Sequence, residues 1–104
     1  MPEAQPSPQQ ADFARHLHQS FRIALPGAPA SEVELIEVRS LIPPDEESET
    51  RRAFSLVFRG GAERQPKQGI YAVENDAMGK RDIFLVPIGP DRVGMRYEAI
   101  FNLC

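Results

Sequence analysis

Six short apolar segments lie between residues 21 and 102, and in most of them apolar and polar side chains alternate. Alternation with a period of two is typical of β-strands that have one face on a core and the other in water. Proline or glycine separates most of the segments, as at Pro26-Gly27 and Gly60-Gly61. We therefore predict six strands, over residues 21–25, 33–38, 54–59, 69–74, 83–88 and 95–102.

The connections between these segments predict an antiparallel arrangement. No helical segment long enough for a parallel crossover lies between them. The predicted fold is mainly β, with about six antiparallel strands in a sandwich or a partly closed barrel. Gly89-Pro90-Asp91 and Gly94 are turn residues, so the last two strands should form a hairpin.

Three strands depart from simple alternation. Leu35 and Ile36 are adjacent apolar residues, which predicts a bulge or a strand partly buried on both faces. Segment 83–88 is apolar on both faces, which predicts an interior strand with Pro87 near its end. In the last strand, Ile100 is the one apolar residue on the otherwise polar face.

A helix-start pattern precedes the strands. Ser7 can cap a helix, Pro8 fits its first turn, and Phe13 and Leu17 are spaced four apart on one apolar stripe. We predict a short helix over residues 8–19 that covers one opening of the β core. Residues 1–6 should be a disordered tail, and residues 7–104 a single domain.

Composition narrows the classes of partner. The formal net charge is −3, and basic residues do not cluster beyond pairs such as Lys80-Arg81, so we expect no nucleic-acid binding. The longest apolar run is far shorter than the roughly 20 residues that span a bilayer, and the first twenty residues show no secretory apolar segment. The single cysteine, Cys104, cannot form an internal disulfide. These features predict a soluble, cytoplasmic protein without a membrane partner.

No pattern in the sequence predicts a catalytic site or a cofactor-binding site. His16 and His18 lie about 200° apart on a helix, so they cannot share a metal ion, and Cys104 has no neighbouring base. The glycines form no phosphate-binding motif. The acidic loop lacks the spacing of a calcium site; it contains Asp45, Glu46, Glu47 and Glu49. We therefore expect no catalytic residue, metal or cofactor.

Four sequence phrases together resemble a known domain family. They are F-S-L-V-F-R-G from Phe54, Q-G-I-Y from Gln68, F-L-V-P-I-G-P-D from Phe84 and G-M-R-Y-E-A-I-F-N from Gly94. With residues 17–21, they resemble a bacterial domain family of unknown function, which brings no activity, ligand or catalytic residue. The resemblance also implies a link to phage-tail collar-like proteins, which share gene neighbourhoods with some members.

The polar face of the last hairpin is the candidate contact surface for another protein. Its residues are Arg59, Asp91, Arg92, Arg96, Glu98 and Asn102. The structural alternative is that these charges pair across the sheet. Arg59 can join this face only if the third and last strands are neighbours.

Two functional hypotheses follow. The first is a non-catalytic protein-interaction or assembly module of unspecified oligomeric state. The alternative is a small-ligand-binding β-barrel whose lumen is lined by Phe54, Phe58, Tyr71, Tyr97 and Phe101. Small barrels usually fill their own interior with side chains, which favours the first hypothesis.

Overall fold

One short helix, α1 (Gln10–Ala14), precedes the strands in a computed structural model that describes residues 10–25, 27, 29–43, 45, 52–61 and 67–103. The strands are β1 (Ser20–Ile23), β2 (Ser31–Ser40), β3 (Arg52–Gly60), β4 (Gly69–Asn75), β5 (Gly79–Pro90) and β6 (Met95–Leu103). The predicted tail, residues 7 and 8, Cys104 and most of the acidic loop lie outside the described residues, as does the side chain of Asn102.

The strands form a closed antiparallel barrel. Their order is β1-β2-β3-β6-β5-β4, and β4 pairs again with β1. The predicted antiparallel β fold is confirmed. The sequence left a sandwich and a partly closed barrel open, and the structure is a closed barrel. The predicted hairpin of β5 and β6 is confirmed as well. Because β3 pairs with β6, Arg59 lies directly opposite Arg96.

The barrel interior is filled by the inward-facing side chains of all six strands. Alternation explains this filling, since every second residue of each strand points into the lumen. Leu35, Leu56 and Phe58 are completely buried, and Phe58 packs edge-on against Phe21 with ring centroids 5.3 Å apart. The register of β2 against β3 shifts between Leu35 and Glu37, which is the bulge that the Leu35-Ile36 pair predicted.

The helix is shorter than the predicted span of 8–19. After Ala14 the chain continues in turns to His18, whose φ of 70° lies in the left-handed region. The His18 backbone N–H then donates to the Leu35 carbonyl at 2.7 Å, and Leu35 donates to Gln19 at 3.1 Å. This link to β2 ends the helical segment, so the prediction of a helix through residue 19 is wrong.

Only one residue of the predicted helical stripe reaches the core. Phe13 is buried against Phe54 and Phe101, at centroid distances of 6.0 and 5.5 Å, and those two rings stack at 4.9 Å. Leu17 is exposed, because the helix ends before it. Phe13 therefore makes the apolar contact between the helix and the core.

Strand β5 differs from its prediction in two ways. It extends to Pro90, so Pro87 is not at its end; Pro87 lies where the register against β6 shifts between Pro87 and Gly89. A bulge tolerates proline because it interrupts the ladder of hydrogen bonds. Phe84 is 51% exposed, so β5 is covered on its lumen side only, and the prediction of an interior strand is wrong.

The turn between β4 and β5 is fixed by a buried asparagine. The Asn75 Oδ1 accepts the backbone N–H groups of Ala77 and Met78 at 2.8 and 3.0 Å. Its Nδ2 donates to the Ser20 carbonyl at 3.0 Å, which ties the turn to β1. This tie supports the β1–β4 contact, whose register contains the two pairs Arg22 with Glu74 and Ile23 with Val73.

Candidate functional site

The tip of the β5–β6 hairpin is organised by Asp91. Its Oδ1 accepts the backbone N–H groups of Val93 and Gly94 at 2.8 and 2.9 Å, and its Oδ2 accepts from Arg59 at 3.0 Å. The hydrogen bonds from Gly94 and Val93, with the Arg59 guanidinium adding to them, lower the pKa of Asp91 to about 2. The Asp91 carboxylate is thus ionised at neutral pH and engaged in holding the turn.

The turn lies tightly against the end of β3. The Asp91 N–H donates to the Gly94 carbonyl at 2.9 Å. A Cβ atom on Gly94 would overlap the carbonyl of Gly60. Glycine is therefore required at this position for close backbone approach rather than for an unusual φ.

The structure brings some of the predicted contact residues together and separates others. Arg59 and Asp91 form an ion pair, and the Arg96 Nε donates to the Gly89 carbonyl at 3.3 Å. Arg92 is exposed at the tip, and Glu98 lies between Val86 and Val57 on the outer face. These contacts give Arg59 and Asp91 a structural role and leave Arg92 accessible. The side chain of Asn102 is outside the described part of the structure.

A polar groove of about 360 Å³ lies beside this ion pair. Its lining includes Glu32, Glu34, Arg59 and the exposed Val93. Glu34 contacts His18 Nδ1 at 3.2 Å and the Arg59 guanidinium at 3.8 Å. The groove therefore mixes both signs of charge.

The two histidines contact different groups. His16 Nδ1 donates to the Asp12 carbonyl at 2.7 Å, whereas His18 Nδ1 contacts Glu34. Within the described residues, no three His, Cys, Asp or Glu side chains are placed to hold a metal ion.

Three large apolar side chains form a row on the outside of the barrel, which we call the apolar row: Ile70, Phe84 and Ile100. They are 71%, 51% and 62% exposed. Ile70 on β4 lies directly opposite Phe84 on β5. Ile100 lies on β6, the other neighbour of β5, two residues beyond Glu98, which pairs with Val86. The row thus crosses three neighbouring strands.

The neighbouring outer face of β3 is largely covered. Ser55 lies opposite Ile100 on β3 and is completely buried, and its hydroxyl has no hydrogen-bond partner among the described residues. Val57, on the same outer face of β3, is only 6% exposed. The exposed apolar row therefore ends at β3.

Sequence reasoning did not identify this row, although each member leaves a signal. Ile100 breaks the polar face of β6, Ile70 is an apolar residue outside the inward set of β4, and Phe84 belongs to the continuous apolar run of β5. The sequence does not reveal the strand order and pairing that place the three side chains on neighbouring strands.

Comparison with known families gives one match. The family model described as Domain of unknown function (DUF6916) matches residues 8–101. The chain belongs to this family. The DUF6916 match includes α1 and β1–β5 and most of β6, so the apolar row lies within it.

Other comparisons add no relative. Searches of curated proteins and of solved structures found no match to this DUF6916 member. In the part of the chain that the structure describes, none of the helical residues form a segment with the length and apolar character needed to cross a bilayer.

Proposed function

We propose that this domain is a non-catalytic protein-interaction or assembly module whose contact surface is the apolar row. The observation that carries the proposal is the exposure of Ile70, Phe84 and Ile100 on the neighbouring strands β4, β5 and β6, with Ile70 directly opposite Phe84. Removing apolar surface from water stabilises a complex by roughly 25 cal/mol per Å². The largest apolar patch on a monomer covers about 300–600 Å² and is often functional, whereas single exposed apolar residues are ordinary.

The position of the row on the barrel supports this function. Its members belong to strands whose other faces are anchored in the core by Val73, Leu85 and Ala99. A rigid sheet presents side chains in a fixed arrangement, so a partner meets a surface that needs little ordering on binding. A partner in a phage-tail assembly, which the sequence resemblance implies, is compatible with such a surface.

The alternative function, a small-ligand-binding barrel, has less support. The aromatic side chains proposed to line the lumen contact other side chains of the core: Phe54 stacks on Phe101, and Phe58 packs on Phe21. Tyr97 is also buried in this cluster. Side chains that fill a small barrel occupy the space that a ligand would need.

The test compares two variants of the full chain as baits in affinity capture. The first replaces Ile70, Phe84 and Ile100 by serine, and the matched control is Val93→Ser, because Val93 is 73% exposed but lies at the hairpin tip. We expect partners held by the wild type to be retained by the control and lost by the triple variant. Thermal unfolding of both variants checks that the barrel is intact. Equal retention by the triple variant and the wild type would reject the apolar row as the contact surface.

A further inference from the structure

We infer that the apolar row binds a polypeptide segment in which apolar side chains are accompanied by lysine or arginine. This inference rests on the proposed function and specifies its partner.

The charged side chains next to the apolar row on its own three strands are acidic. Asp82 precedes Phe84 by two residues on β5, and Glu98 precedes Ile100 by two residues on β6. Two residues along a strand correspond to roughly 7 Å, and such residues share a face. Neither carboxylate has an ion-pair partner among the described residues.

Three basic side chains lie near this border. Lys80 precedes Asp82 by two residues on the same face of β5 and lies opposite Glu74 on β4. Arg39 on β2 lies opposite Ser55 on β3, which in turn lies opposite Ile100. The Arg39 Nε is 4.0 Å from Glu37. Arg96, two residues before Glu98, donates from its Nε to the Gly89 carbonyl. Among the residues that the structure describes, no ion pair joins these basic groups to Asp82 or Glu98, which leaves both carboxylates to meet a cationic group. Opposite charges across an interface select partners and speed association.

A second copy of the chain fits this surface less well. The exposed parts of the three side chains amount to at most roughly 460 Å², even if each had the area of about 250 Å² that a large aromatic side chain has. A stable interface buries about 800 Å² on each partner. Each copy would also bring its own Asp82 and Glu98, and the chain has a net charge of −3. Like charges at one interface oppose association. A short apolar segment with basic residues fits the small area of the row, and its charges are opposite to those of Asp82 and Glu98.

The experiment selects peptides from a random displayed library on the immobilised full chain. Enriched peptides are synthesised, and their affinities are measured for the wild type, Phe84→Ser, the double variant Asp82→Lys with Glu98→Lys, and the control Val93→Ser. We expect enriched peptides to combine apolar residues with lysine or arginine. Phe84→Ser should weaken binding about tenfold or more, as removal of a central apolar contact does.

The charge-reversed variant tests separately whether the lysine or arginine residues of the peptides contribute to binding. Reversal of Asp82 and Glu98 should weaken binding of these peptides about three- to tenfold, the size expected for two surface charge pairs. The loss should shrink at high salt, and Val93→Ser should bind like the wild type. Circular dichroism and thermal unfolding confirm that each variant folds.

The outcomes separate the two proposals. Some peptides could require Phe84 without being enriched in lysine or arginine, or could bind the charge-reversed variant as well as the wild type. Either result would overturn the basic character of the partner but would still support the apolar row as the contact surface. Peptides indifferent to Phe84→Ser, or a failure to enrich any, would overturn both. A dimer in sedimentation that Phe84→Ser dissociates would make a second copy the occupant and overturn the inference.

Discussion

Gly94 illustrates how one residue determines the contact between the hairpin tip and β3. Because a Cβ atom at this position would overlap the Gly60 carbonyl, Gly94→Ala must displace backbone rather than a flexible side chain. We expect a loss of about 1–3 kcal/mol in the free energy of unfolding, measured by urea denaturation. Gly61→Ala is the control, since nothing lies within 4 Å of its added Cβ. Equal stability of the two variants would contradict the tight approach.

Asp91 gives the turn a dependence on pH. Its pKa is lowered from 3.8 to about 2 in the folded chain, so its contribution to stability is complete above about pH 5 and is lost as the pH falls through about 2. We expect Asp91→Asn to be less stable than the wild type at neutral pH and to lose less stability over that acid range. Melting temperatures of both proteins between pH 2 and pH 7 test this, and parallel curves would rule it out.

Substitutions on the two faces of β3 test how far the alternation of residues determines the burial of their side chains. Leu56 is completely buried in the lumen, so Leu56→Ala should cost about 2–5 kcal/mol of unfolding free energy. Val57 is nearly buried on the outer face, and Val57→Ala removes less apolar volume, so we expect about 1–2 kcal/mol. Urea denaturation measures both. A negligible cost at Val57 would contradict its burial.

Helix α1 contributes to the barrel through Phe13. Because this ring packs on Phe54 and Phe101, Phe13→Ala should cost about 3–5 kcal/mol. The exposed Leu17 is the matched control, and Leu17→Ala should change stability by less than about 1 kcal/mol. Thermal unfolding of both variants distinguishes this account from the predicted helical stripe, which requires comparable losses.

The elements also show what the sequence could and could not predict. Alternation located β3 and β6 because apolar residues occupy every second position of each strand, such as Phe54, Leu56 and Phe58 on β3. It misassigned Phe84, because a run of apolar residues looks the same whether its second face is covered or exposed. The helix end depends on the hydrogen bond between His18 and Leu35, a tertiary contact that no local pattern records.

Taken as a whole, the molecule is a filled barrel with two distinct surfaces. At the hairpin tip, charges such as Arg59 and Asp91 are engaged with each other. On β4, β5 and β6, the apolar row is exposed and bordered by carboxylates. Strand order makes this contrast. Residues far apart in the sequence become neighbours only when the barrel closes, so the sequence could propose the polar candidates but not the apolar row.

The location of the contact surface is tested most directly by an NMR titration of the ¹⁵N-labelled full chain with a selected peptide. We predict that amide shifts concentrate at Ile70, Phe84 and Ile100, with Asp82 and Glu98 at the border. Shifts confined to the hairpin tip around Arg92, or to the groove beside Glu34, would contradict the proposal.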